Sequence, residues 1–407
     1  MSSPIRLRRG LAAALLATCC ALPAHAGTWL NSWTAPPQPS WDDGFVLPTR
    51  IPPTLEDQTL RQVLRLSLGG RRVRIQLSNE YGTTPLVIGA AQVAPAAAPA
   101  QGRVVTFNGQ PQVVVPPGAP VLSDPVDLPV APLSRIAVSL YLPQATPTRS
   151  FHWDGRERAA LAPGNQVAAA RLPVTPDLSA RLFLSALGVE AEAPRGSVVV
   201  IGDSITDGNG ATLDADARWP DYLAARLAPR GMAVLNAGIS GGRLLSNGMG
   251  ESALARFDRD VLAQPRLRAA IVLIGINDIS WPGTAFDPQG KTPEAAALIA
   301  GYRQLIARAH LHGVKLIGAT LAPFEGALAG TPLADYHQPH KERVRQEVNG
   351  WIRGSGAFDA VLDVDALLRD PAHPQRMQAR FDSGDHLHPG DAGHRAMAGA
   401  VRAAWVR

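Results

Sequence analysis

Five short apolar runs punctuate the second half of this chain: Val198–Ile201, Ala233–Leu235, Ala269–Ile274, Val314–Ile317 and Ala360–Leu362. Each suits a strand buried on both faces. Helix-like segments separate them. Leu298, Tyr302, Leu305 and Ala309 recur on one helical face. Met397, Val401 and Trp405 do the same behind Asp391, a candidate N-cap. Five strands alternating with helices predict an α/β region with one parallel sheet, helices on both faces and right-handed crossovers. A flavodoxin-like strand order is expected, over residues 195–407.

Residues 27–190 obey a different period. Leu60, Leu64, Leu66 and Leu68 alternate with Arg61, Arg65 and Ser67, with Val63 as an exception. Gly69-Gly70 then reads as a two-residue hairpin turn into Val73, Ile75 and Leu77. Ile136, Val138, Leu140 and Leu142 repeat the alternation, and Leu86–Ile88 and Val113–Val115 are shorter candidates. Proline- and alanine-rich connections separate them. This pattern predicts an all-β sandwich, jelly-roll-like, ahead of the α/β region. Trp29, Trp33, Trp41 and Trp153 either form a sugar-stacking surface or, the commoner role, plug the sandwich and pack against a neighbouring domain.

The first 26 residues read as an export signal. Arg6, Arg8 and Arg9 open it, Leu11 to Leu22 are mostly apolar, and Ala24-His25-Ala26 has the small–x–small cleavage pattern. The apolar run is too short to span a bilayer. A secreted or periplasmic location follows, with cleavage near Ala26. Cys19 and Cys20 lie within that signal, so the mature chain would carry no thiol, disulfide or thiolate metal site. A lipid-modified Cys19 fits less well, because Thr18 precedes it. Without the three signal arginines, 39 basic against 34 acidic residues become 36 against 34. No basic run remains that would suggest nucleic acid or membrane insertion.

The polar residues that follow each apolar run carry the chemistry. The first run ends in Gly202-Asp203-Ser204-Ile205, the second reaches Asn236-Ala237-Gly238-Ile239-Ser240-Gly241-Gly242, and the third Gly275-Ile276-Asn277-Asp278. The fourth leads to Thr320 and Pro323, and Asp382-Ser383-Gly384-Asp385-His386-Leu387-His388 follows the fifth. In open α/β sheets the carboxyl ends of the strands form the ligand-binding rim, so these clusters can meet. A serine hydroxyl becomes a nucleophile when a base takes its proton and a third group orients the base. Ser204, His388 and Asp385 have the chemistry for those roles, and the D-x-x-H spacing lets one turn bring Asp385 to a ring nitrogen of His388. The N–H groups of Ser204 and Gly241 and the side-chain amide of Asn277 are candidate oxyanion donors.

Each residue also has a plainer role. Ser204 can cap a helix. Gly241 can be a turn residue, with Gly242 the donor. Asn277 can brace its own loop, a task that suits Asp278 better. His386 is a rival base and Asp382 a rival orienter. His310 with His312, and His337 with His340, read as surface histidines rather than zinc ligands. Arg243 and Arg343 are candidate substrate contacts.

These blocks resemble the SGNH hydrolases, also called GDSL esterases and lipases. The four signature blocks stand in order as Gly202-Asp203-Ser204-Ile205, Gly241 within NAGISGG, Asn277 within GIND, and Asp385 to His388, with isoleucine as the fourth letter of the first. The opening GTWLNSWTAPPQP and the later LSLGGRRVRIQLSNEYG resemble secreted bacterial members with a β-sandwich ahead of the hydrolase domain. The resemblance implies Ser204 as nucleophile, His388 as general base and acid, Asp385 as its orienter, and Ser204, Gly241 and Asn277 as the oxyanion hole. It implies no metal and no organic cofactor. The expected activity is hydrolysis of short acyl esters, acetyl groups on polysaccharide among them, through an acyl-serine. The substrate would be a small-molecule or polysaccharide ester; oligomeric state stays open. An acyltransferase with the same triad, or a carbohydrate-binding protein with an inactive hydrolase fold, are the alternatives.

Overall fold

A computed structural model describes residues 27–406, and the structural statements below concern those residues. The expected export signal and both cysteines lie outside them.

Strands Gly196–Gly202, Met232–Gly238, Leu267–Leu273, Lys315–Ala319 and Ala360–Leu362 form one parallel sheet. Their spatial order is second, first, third, fourth, fifth, the flavodoxin-like order expected. All seven residues of the first strand are buried between its two neighbours, as an apolar run with no polar face requires. Helix Ala295–Leu311 buries Leu298, Tyr302, Leu305 and Ala309, the stripe its spacing predicts. Helices Trp219–Leu227 and Pro339–Gly354 add further cover to the same core.

The last helix is shorter than its periodicity suggests. It runs Asp391–Ala400, and Val401 has already turned extended. The Arg226 guanidinium donates to the carbonyls of Ala398 and Val401, which ends the helix from outside. Asp391 is not its cap either. Gly390 holds that position, and the Asp391 carboxylate accepts from the Thr212 N–H and hydroxyl at 2.7 and 2.8 Å.

Ahead of the α/β region lie two five-stranded antiparallel sheets. One contains Thr28–Thr34, Leu184–Ala191, Gly70–Ser78, Pro120–Leu122 and Val126–Val130. The other contains Ala160–Pro163, Gln58–Arg65, Arg135–Leu142, Ala90–Pro95 and Arg103–Val104. Val73, Ile75 and Leu77 from the first share one core with Leu60, Leu64, Ile136, Val138 and Leu140 from the second. That core is the reason for the alternation.

The Gly69-Gly70 hairpin does not form. Gln58–Arg65 and Gly70–Ser78 belong to different sheets, so the glycines lie on a crossing between sheets. Leu66 and Ser67 donate to the carbonyls of Ser134 and Ser32 on the way. Glycine is needed at 69 for close approach: a Cβ there would stand 2.3 Å from the Val130 carbonyl oxygen.

A small sheet of Gln38–Pro39, Ser150–His152 and Arg181–Leu182 joins the two regions. Gln38 donates to the Met249 carbonyl at 2.5 Å, and Thr34 to that of Asn236 at 2.8 Å. Three of the four tryptophans take the commoner role, whereas Trp29 lies half-buried under the Arg74 guanidinium, 4.3 Å from its ring centroid. Trp33 is buried in the sandwich core, whereas Trp41 and Trp153, ring centroids 5.9 Å apart, join an aromatic cluster with Phe45, Trp281 and Phe286 that spans both regions.

Candidate active site

The first parallel strand ends at Gly202, and a four-residue helix, Ser204–Asp207, starts at once. Asp203 caps it, its Oδ1 accepting from the Ile205 N–H at 3.0 Å. Ser204 is therefore the first helical residue, with its N–H among the donors a helix leaves unpaired. Burial pushes the Asp203 carboxyl up to about 7, and its Oδ2 has no partner among the described residues.

The loop after the fifth strand closes over this serine. His388 Nε2 lies 2.8 Å from Ser204 Oγ, and His388 Nδ1 lies 2.6 Å from Asp385 Oδ2. Asp385 Oδ1 accepts the backbone N–H groups of Leu387 and His388 at 3.0 and 2.8 Å. Desolvation alone would raise the Asp385 carboxyl. The hydrogen bond and charge of His388, with those two N–H groups, outweigh it and hold the group well below the usual carboxylate range. His386 points elsewhere: it is exposed and its Nδ1 meets Asp382 Oδ2 at 2.5 Å. The rival base and the rival orienter thus pair with each other.

The N–H groups of Ser204 and Gly241 find no acceptor among the described residues. Gly242, the alternative donor, is engaged by the Ile239 carbonyl at 2.8 Å. Gly241 has φ +72°, and a Cβ there would lie 2.9 Å from the Trp281 ring. Asn277, buried near the start of helix Ile276–Ser280, donates one amide hydrogen to the Gly242 carbonyl at 2.8 Å. Its Oδ1 accepts the phenol hydrogen of Tyr336. Asp278 takes the N–H groups of Leu244 and Leu245 at 2.7 and 2.9 Å, bracing the second loop against the third. Burial pushes that carboxyl up to about 6.

Ser204, Gly241, Asn277 and His388 line one pocket of about 150 Å³, whose walls include Leu47, Met249, Trp281, Phe286 and Leu333. A second groove, about 370 Å³, shares Leu47, Trp153 and Asn209 with it and continues past Arg50, Asp154, Asp177 and Ser179. Leu47 and Trp153 come from the β-rich region. The indole N–H of Trp41 donates to the Leu47 carbonyl at 2.6 Å and that of Trp153 to Pro48 at 3.2 Å, pinning that segment beside the pocket. A larger cavity, about 540 Å³, opens at the amino ends of the strands between Arg195, Arg230, Arg266 and Arg268. Its lining among the described residues includes no serine or histidine.

Of the remaining histidines, His310 meets Asp359 at 2.9 Å and His337 packs edge-on to Phe324. No group of three or more His, Cys, Asp or Glu among the described residues is arranged to hold a metal ion. No helix among them is long and apolar enough to cross a membrane. Arg243 lies over the Trp281 ring at 4.8 Å beside the pocket, whereas Arg343 donates to the Pro339 carbonyl of its own helix.

Residues 200–396 match the GDSL-like lipase/acylhydrolase family. The α/β region belongs to that family. Among solved structures, this GDSL-like region is similar to a G-D-S-L family lipolytic protein from Desulfitobacterium hafniense, at 20% identity over 50% of this chain and 96% of that one, TM-score 0.37. It is also similar to a GDSL-like lipase from Bacteroides thetaiotaomicron, at 18% identity over 52% and 88%, TM-score 0.38. A third is an acetyl xylan esterase from Geobacillus stearothermophilus, at 25% identity over 51% and 93%, TM-score 0.36. No curated protein matches the chain significantly. The GDSL-like region is a hydrolase by family, with an antiparallel β-rich region ahead of it.

Several groups around this site escaped the sequence reading. Tyr336 stands 59 residues beyond Asn277 with nothing nearby to mark it. His152, in the β-rich region, reaches Asp207 of the nucleophile's own helix at 2.9 Å. Asp207 and Asn209 fall within the small polar stretch after Ser204, and that context was their one local signal.

Proposed function

We propose that this protein is a serine esterase hydrolysing short-chain acyl esters, acetyl esters included, with Ser204, His388 and Asp385 as its catalytic triad. The observation that carries the reading is the continuous hydrogen-bond chain from Asp385 through His388 to Ser204, at 2.6 and 2.8 Å, beside two N–H groups without acceptors among the described residues.

In this reading His388 Nε2 takes the Ser204 hydroxyl proton as Oγ attacks the ester carbonyl carbon. The carbonyl oxygen, now negative, receives the N–H groups of Ser204 and Gly241 and the free amide hydrogen of Asn277. Each donor contributes roughly 10²–10³ in rate. His388 passes its proton to the departing alkoxide, leaving the acyl group on Ser204. Water attacks the acyl carbon, His388 takes its proton, and the carboxylic acid leaves as Ser204 regains a hydrogen. Asp385 holds the Nδ1–H throughout and stabilises the transient imidazolium.

The two cavities divide the substrate. The apolar pocket of about 150 Å³ suits an acyl chain of a few carbons, since that volume is about five water molecules' share of the liquid. The polar groove of about 370 Å³ suits a hydroxyl-rich alcohol such as a sugar. The same groove would hold an acceptor alcohol, which keeps acyl transfer as the second reading. Export through the first 26 residues would put the enzyme outside the cytoplasm, where such esters occur on polysaccharide.

Purified protein and its Ser204→Ala variant, assayed on p-nitrophenyl esters from acetate to dodecanoate and on acetylated glycans, test the proposal. Hydrolysis falling off beyond short chains and lost in the variant is the expected outcome. Equal turnover by the variant would sink it. Formation of a new ester when an alcohol is added would select acyl transfer.

A further inference from the structure

Strand Ser150–His152 buries a histidine against the α/β region. Nδ1 of His152 lies 3.0 Å from the Pro36 carbonyl, and Nε2 lies 2.9 Å from Asp207 Oδ1. A carbonyl only accepts, so Nδ1 carries a hydrogen. Nε2 faces the Asp207 carboxylate within hydrogen-bond distance. The two residues are a buried, hydrogen-bonded pair, one from each region.

The other oxygen of Asp207 faces the second loop. Oδ2 accepts the Ser240 N–H at 3.0 Å and the Ser240 hydroxyl at 2.6 Å, and Ser240 Oγ in turn accepts from Asn209 Nδ2 at 2.6 Å. Ser240 immediately precedes Gly241. Glycine has no side chain with which to anchor itself, and Gly241 sits at φ +72°, where its N–H direction depends on how the preceding residue is held. Asp207 also closes the four-residue helix that Ser204 opens. One carboxylate therefore fixes both the end of the nucleophile's helix and the residue that aims the oxyanion donor.

We infer that His152 is a positioning residue for the esterase reaction, through which the β-rich region holds Asp207, Ser240 and hence the Gly241 N–H in register with Ser204. The inference rests on the esterase reading above. It assigns the β-rich region a part in turnover beyond carrying Leu47 and Trp153 at the pocket wall. Oxyanion donors stabilise the transition state more than the ground state when their direction is set beforehand. Loosening their support therefore lowers kcat and leaves KM unchanged.

The test compares full-length wild type, His152→Gln and Ser240→Ala on p-nitrophenyl acetate, with thermal unfolding recorded for each. Glutamine can serve Asp207 or Pro36 but not both. Ser240→Ala reaches the same connection from its far end with the His152–Asp207 pair intact, and stands in if the histidine variant fails to fold. The expected result is kcat lowered about tenfold in each folded variant, less than the roughly 10²–10³ for outright loss of a donor, with KM within twofold. The double variant should be little worse than either single one, as residues in one network are. Unchanged kcat with a lowered unfolding temperature would show a purely structural contact and overturn the inference. So would a rise in KM alone, or additive losses in the double variant. Absence of hydrolysis by the wild type would instead overturn the esterase reading beneath it.

Discussion

Tyr336 gives its phenol hydrogen to Oδ1 of Asn277, which turns the amide nitrogen of Asn277 toward the Gly242 carbonyl and the pocket. An asparagine side chain has two nearly isosteric orientations, and only one presents donors to an oxyanion. Burial pushes the Tyr336 hydroxyl pKa well up, so it remains a donor across the working range. Tyr336→Phe should lower kcat about tenfold with little change in KM, against roughly 10²–10³ for Asn277→Ala. Steady-state kinetics on p-nitrophenyl acetate decide it. Turnover equal to wild type in the Phe variant would remove Tyr336 from the site's support.

The two histidines of the last loop should behave very differently. His388→Ala removes the group 2.8 Å from Ser204 and should cut turnover by about 10⁴–10⁶. His386→Ala removes an exposed ring paired with Asp382 and should stay within about twofold. Parallel rate measurements separate them, and a large loss in the His386 variant would reopen the choice of base.

Gly241 tolerates no side chain. Its φ is +72°, and a Cβ would stand 2.4 Å from Met249 Sδ and 2.9 Å from the Trp281 ring. Met249 can swing aside, but Trp281 is stacked on Phe286 at 4.5 Å between centroids. Gly241→Ala should destabilise the fold by about 1–3 kcal/mol and lower kcat by more than tenfold. Urea unfolding together with kinetics checks both, and a variant with normal stability and kcat would show that position 241 accommodates a side chain.

Acid sensitivity should trace in part to His394. The ring is fully buried, accepts from the Trp219 N–H at 3.3 Å and donates to the Asn209 carbonyl at 3.0 Å. Burial pushes its pKa down to about 4 from an ordinary 6.5. The unfolded chain takes up a proton below pH 6.5 while the folded one stays neutral, so this contribution is complete above pH 6.5. It is lost as pH falls toward 4, at up to about 1.4 kcal/mol per unit. His394→Gln should flatten the stability profile between pH 7 and 4.5. Equally steep profiles in denaturation series of the two proteins would refute the assignment.

Much of the architecture was legible along the chain because it rests on short-range periodicity. The apolar runs, broken only at Lys315, suit strands of a sheet covered on both faces, and their alternation with helices set a parallel sheet. That sheet in turn gathered the clusters around Ser204, Gly241, Asn277 and Asp385 to His388 on one rim. Periodicity does not say which strand pairs with which. Gly69-Gly70 has hairpin composition, yet it spans two sheets, because the sandwich core draws Leu64 and Val73 to opposite walls. The last helix ends at Ala400 because Arg226, far away in sequence, takes its final carbonyls. Nor could residue order single out Tyr336 or His152, whose roles are defined by partners 59 and 55 positions away. Side-chain alternation is a property of neighbouring residues, and the chain states it outright. A buried polar contact exists only once packing has removed water from between its two partners, and tertiary structure alone decided which groups those would be.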